Sequence, residues 1–136
     1  ILKIVTSFVL TIFVISCNGT NENSSTKQVT FKDLVNIEDI SEISVHNNNG
    51  EHVLNGQDKE ELLAIIANMT FEKNGSYKLG AKAIVLTING KSHTLLGSTH
   101  GNHLEVSSDI VTKNKDNIGD KNTIYFEAEN LNIDNY

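Results

Sequence analysis

The chain has no proline, no tryptophan and no arginine, and one cysteine among its 136 residues. A single cysteine rules out a disulfide within the chain and any CxxC metal or redox pair. Without arginine there are no guanidinium forks to grip phosphate or base edges with two bonds at once. Without proline, the turns have to be marked by asparagine and glycine. Gly-rich phosphate loops and the HExxH pattern are also missing. Eleven basic residues, all lysine, face 17 acidic ones, giving a formal net charge of −6. Lys3 is the only charge before Cys17, so the rest of the chain is one unit more acidic still. Scattered, outnumbered lysines argue against binding to nucleic acid, which needs a basic face. They argue equally against electrostatic adhesion to anionic lipid.

What is present divides unevenly. Residues 1–16, ILKIVTSFVLTIFVIS, carry one positive charge and then a nearly unbroken apolar run from Ile4 to Ile15. The run is shorter than the roughly 20 residues of a membrane span and has the size of a secretory h-region, closed by the small residue Ser16. Cys17 follows, and then a polar stretch, Asn18 to Gln28, that cannot bury apolar surface and reads as a flexible tether.

The four residues Val14-Ile15-Ser16-Cys17 resemble a lipobox, and with the apolar run before them they resemble the start of a bacterial lipoprotein precursor. The resemblance covers about the first 20 residues and implies that the Cys17 sulfur receives a diacylglycerol, after which signal peptidase II cuts before it. Acyl chains contribute about 0.8 kcal/mol per buried methylene, so two or three of them hold a protein on a membrane essentially permanently. The alternative for Cys17 is a buried structural thiol in an apolar strand or helix. The apolar run, the small residue and the abrupt polar tether agree with one another in favour of the lipid.

The expected organisation is a signal peptide over 1–16, the lipidated cysteine and tether over 17–28, and one domain over 29–136. About 110 residues are enough for one hydrophobic core without disulfides or metals. Thr30 to Leu34 can open a short helical turn with Thr30 as its cap. Ile40 to Val45 runs into a polar HNNNGEHVL stretch that reads as a β-hairpin closed around Asn47 to Gly50. Leu62, Ile65, Ile66 and Met69 recur at helical spacing, flanked by Leu63 and Ala67, and predict a helix over Asp58–Met69 with Asp58 near its cap. Ala83 to Ile88 is a β-rich run ended by Asn89-Gly90, a type I′ turn signal, with Ser92 to Leu96 returning. A further hairpin is expected at His100 to His103, then a polar loop from Lys113 to Asn122, then a last strand over Thr123–Ala128. Hairpin, helix, then meander predicts an α+β fold: an antiparallel sheet with one main helix packed on one face.

Candidate chemistry is sparse. If Gly101-Asn102 were a two-residue turn, His100 and His103 would face each other with Cβ atoms about 5 Å apart. They could then share a metal ion with Glu105 as a third ligand; ordinary polar residues at an exposed turn explain them equally. His93 lies seven residues from His100, about 23 Å along an extended strand and on the opposite face by parity. A hydrolase would use Ser98 as nucleophile, His100 as base and Asp109 as orienter, but no nucleophile elbow surrounds Ser98. Glu60 and Glu61 are read as serving the positive end of the helix dipole. His46 and His52 flank an exposed hairpin turn. The Lys113–Asn122 loop is long enough to bind something, or to be a disordered surface loop.

These readings point to a lipid-anchored, non-catalytic binding or interaction module of the bacterial cell envelope. It needs no cofactor, is held to the membrane through Cys17, and takes an envelope protein or a glycan as partner. The competing expectation is a small envelope hydrolase or metal-binding protein built on the His100/His103 turn.

Overall fold

The structure, a computed structural model, describes residues 26–136 apart from Gly101. The apolar leader, the lipobox-like residues and Cys17 lie outside the described residues. Among the described residues no helix is long and apolar enough to cross a membrane.

The chain enters through a four-residue helix, α1 (Phe31–Leu34), started by Thr30. Thr30 donates both its backbone N–H and its hydroxyl to the Asp33 carboxylate, each at 2.9 Å, which ties off the helix start. Strands β1 (Ile40–Asn47) and β2 (Gly50–Val53) form the expected first hairpin, with Asn47 opposite Gly50. Helix α2 (Gly56–Ala67) follows. It begins earlier than the sequence suggested. Asn55 is the extended residue at its N-cap, Asp58 falls inside the first turn, and Glu60 and Glu61 lie beyond that turn. The predicted cap at Asp58 is therefore corrected by three positions.

The remaining strands are β3 (Thr70–Glu72), β4 (Leu79–Ile88), β5 (Lys91–Ser98), β6 (His103–Ser107) and β7 (Thr123–Glu127). Among the described residues all seven strands join one antiparallel sheet in the order β2-β1-β4-β5-β6-β7-β3. With the two helices this makes an α+β-like architecture. The β4–β5 turn has φ of 50° at Asn89 and 77° at Gly90, the paired positive values that a type I′ turn demands and that asparagine and glycine supply most easily. The late meander β4-β5-β6-β7 is local in sequence, whereas both edges of the sheet come from earlier in the chain.

Alternation fixes which side of each strand is buried. Ile84, Leu86 and Ile88 of β4 are buried while Val85 and Thr87 between them are only half-buried. Across the register Ile43, Leu95, Leu104, Val106, Ile124 and Phe126 join them. Leu62 and Ile66 of α2 and Met69 just after it are fully buried in this same cluster, whereas Ile65, the fourth member of the expected stripe, is only partly buried against it. Phe126 packs edge-on against Phe31 at 5.3 Å and Phe71 at 6.0 Å between ring centroids.

The Lys113–Asn122 segment is pinned rather than loose. Backbone N–H groups of Thr112 and Lys113 reach the Leu34 carbonyl, and Asn114 Nδ2 donates to Asp33 O at 2.8 Å. Ile118 is buried in the core cluster. At the other end of the chain, the buried Asn47 side chain donates to the carbonyls of Ile133 and Tyr136, both at 2.8 Å, and accepts from Asn49 N–H.

Candidate functional site

Two rows of side chains lie on the face of β3, β7 and β6 that turns away from Phe126. Glu72, Tyr125 and Glu105 are cross-strand partners in one row, and Thr70, Glu127 and His103 in the next. Residues in register and at i, i+2 share a face, so the pairing brings three carboxylates, an imidazole and a phenol together. The segment between β3 and β4 folds back over them. It comes so close that a Cβ at Gly75 would fall 2.5 Å from the Tyr125 Cβ, which no side chain tolerates. Tyr77, two residues on, stacks its ring on His103 with centroids 3.8 Å apart and planes 10° apart.

The polar ends of this cluster interlock. The Tyr77 hydroxyl donates to Glu72, and that bond, burial and the nearby carboxylate charges push its pKa up to about 12. Tyr125 is raised for the same reasons by Glu105, with the hydrogen bond first. His103 Nδ1 is buried and lies 3.4 Å from Glu72 Oε1. Glu72, Tyr77 and Tyr125 were not singled out in the sequence. They are separated by long stretches of chain, and no local spacing announces that β3 and β7 pair.

The structure redistributes the residues that the sequence did single out. Leu96 pairs with Glu105 and Gly97 with Leu104, so the same register sets Ser98, not His100, opposite His103. The two histidines therefore do not face each other across a two-residue turn; β5 ends at Ser98 and β6 begins at His103. Glu105 shares the His103 face but is engaged with Tyr125. Among the described residues no three of His, Cys, Asp and Glu converge as a metal-binding group.

Ser98 Oγ donates to the His100 backbone carbonyl at 2.7 Å. Asp109 is bound to Lys91, at the start of the strand that Ser98 ends, and lies 3.6 Å from His93 Nδ1. Hydrogen bonds from Lys91 and Ser107 hold its carboxyl below the usual range. The nucleophile–base–orienter arrangement is thus split between opposite ends of β5. His93 itself is buried opposite Leu86, a core-facing position. His46 and His52 sit at neighbouring, non-paired positions of the first hairpin and point to opposite faces.

Next to His103 a groove of about 360 Å³ runs between the end of the β5–β6 pair and the Leu131–Ile133 segment. A second groove, about 510 Å³, lies between α2 and the end of β7, with Glu127 and Glu129 on its wall. No protein-family model, no curated protein and no solved structure matches the chain.

Proposed function

We propose that this chain is a lipid-anchored binding module of the bacterial cell envelope without a catalytic role of its own. The observation that carries the reading is the succession of the apolar run, Val14-Ile15-Ser16-Cys17 and the polar tether, placed directly before a folded domain. In this reading α2 packs on the Phe126 side of the sheet. The opposite side, where Tyr77, His103 and Tyr125 gather, is left to face partners. Two of the carboxylates there, Glu72 and Glu105, accept hydrogen bonds from the Tyr77 and Tyr125 hydroxyls rather than standing poised as an acid–base pair.

The test is expression of the full chain in a bacterial host, followed by intact-mass analysis and membrane fractionation. A diacylglycerol-sized mass increment and membrane association, both lost in Cys17→Ser, are expected. A Cys17→Ser protein that remains membrane-bound, or an unmodified Cys17, would overturn the anchor. Cross-linking on whole cells then asks for a partner; none above an unrelated lipoprotein control would remove the binding reading.

One observation favours a second reading: the approach of His103 Nδ1 to Glu72, the arrangement that orients a histidine toward a ligand or substrate on its other nitrogen. Metal analysis of protein purified without chelator decides that version, and substoichiometric metal removes it.

A further inference from the structure

The geometry points to the groove beside His103 as a binding site for a neutral, polyhydroxylated ligand of the saccharide class. The inference rests on the binding-module reading and gives it a site and a ligand chemistry.

Two irregularities of the sheet meet here. The β4–β5 register slips between the pairs Leu79–Ser98 and Ala83–Leu96, a bulge of the kind that re-aims side chains beside functional sites. Gly97, buried inside β5, has no side chain to fill the space. A Cβ on it would sit 3.1 Å from the Lys82 carbonyl and 3.5 Å from Ile133 Cδ1. Glycine inside a strand often marks close approach by a ligand or another backbone. Here the approaching segment is Leu131–Ile133, whose Leu131 and Ile133 side chains join the core while the segment forms the far wall of the groove.

The lining then selects the ligand. Asn102 and Asn132 place amide groups at the rim beside the Ser98 and Thr99 hydroxyls, which already donate to the His100 and Lys78 carbonyls, while Leu104, Leu131 and Ile133 beneath them are nearly wholly buried. Asn102 is fixed there because its carbonyl accepts from the Ala128 N–H at 2.7 Å. The ionisable side chains along the groove are Lys82 and His103, and each has an acid beside it: Asp134 for Lys82, Glu72 for His103. His103 Nδ1 and Asp134 Oδ1 make no hydrogen bond among the described residues, but both atoms are buried and so present no charge to a ligand in the groove. A sugar ring presents hydroxyls around its edge that both donate and accept, which matches a rim of amide and hydroxyl groups. The volume falls in the range of small-ligand sites.

The test is amide chemical-shift mapping on the full chain in detergent micelles. Chitotriose and maltotriose serve as neutral probes, with inorganic phosphate and lysinamide as charged ones. At least one trisaccharide is expected to shift the amides of Gly97, Ser98, Asn102 and Asn132. Asn102→Ala should weaken that binding on the order of tenfold, as expected for a lost hydrogen-bonding side chain. Glu129→Gln, on the other groove, should leave it unchanged. No shift at these amides with either saccharide, a response to a charged probe instead, or binding indifferent to Asn102→Ala would overturn the inference. If the saccharide test fails while cross-linking still captures an envelope partner from wild-type cells, the groove assignment alone has failed. If no partner is captured from wild-type cells either, the binding-module reading falls with it.

Discussion

The ring of Tyr77 lies flat on the imidazole of His103 while its hydroxyl is given to Glu72, so one side chain from a connecting segment bridges two strands that do not pair with each other. Because the hydroxyl donates to a carboxylate, the neutral phenol is the form the fold prefers. A raised folded pKa means the contribution is fully present below the ordinary value of 10.0 and is lost as pH rises toward about 12. Ultraviolet titration should show one phenol ionising near that upper value. Tyr77→Phe should delete that step, leaving the raised Tyr125 and Tyr136 in place, and Glu72→Gln should bring it down toward 10; a step near 12 undiminished by Tyr77→Phe would contradict the assignment.

Asp33 works in the opposite sense. The Thr30 backbone N–H, and then its hydroxyl, hold the Asp33 carboxyl below its usual 3.8. The stability from this cap is present above that value and disappears as pH falls through the lowered one. Asp33→Asn should therefore unfold at lower denaturant than the parent at neutral pH, with the two curves converging in strong acid. Thr30→Ala should cost about 1 kcal/mol. A gap between Asp33→Asn and parent that is constant across pH would show that the carboxylate charge plays no part.

Phe126 is fully buried between Phe31 and Phe71, which ties the last strand to the first helix and to the edge strand β3. Phe126→Ala is expected to cost about 3–5 kcal/mol, a large part of the roughly 5–15 kcal/mol that holds a typical domain folded. Equilibrium denaturation with circular dichroism reads this directly. A loss below about 1 kcal/mol would mean that the pocket collapses around the missing ring.

Asn47 offers a polar counterpart. Asn47→Ala removes the two bonds to the Ile133 and Tyr136 carbonyls and should cost about 1–3 kcal/mol. Hydrogen exchange should quicken at Asn135, whose N–H closes the short 3-10 turn Ile133–Asn135, more than in the central strands. Equal acceleration everywhere would indicate global rather than local loosening.

What the sequence disclosed was local. The Leu62-Ile66-Met69 stripe and the Asn89-Gly90 turn could be read because a helical period and a pair of positive φ angles are properties of a few adjacent residues. The start of α2 was displaced because Asp58 and Glu61 imitate a capping box, while the residue that is extended before the helix is Asn55. Strand β3 is three residues long and shows no alternation, so only its pairing with β7 defines it. The His100–His103 pairing failed for a related reason: register is set by Leu96 opposite Glu105, not by the two residues between the histidines. The cluster of Glu72, Tyr77, His103 and Tyr125 was out of reach because it exists only once β3 has crossed to β7.

That crossing also governs the order in which the molecule can be completed. The middle of the sheet is built from late residues and its two margins from early ones, so β1 waits for β4 and β3 waits for β7. An N-terminal fragment still emerging from synthesis has an apolar helix stripe and two margins with nothing to join, and loop closure over such separations is slow. Folding is thereby deferred until β7 is available. For a chain taking the export route proposed above, that delay keeps it threadable through a membrane channel and makes it fold as a whole on the far side.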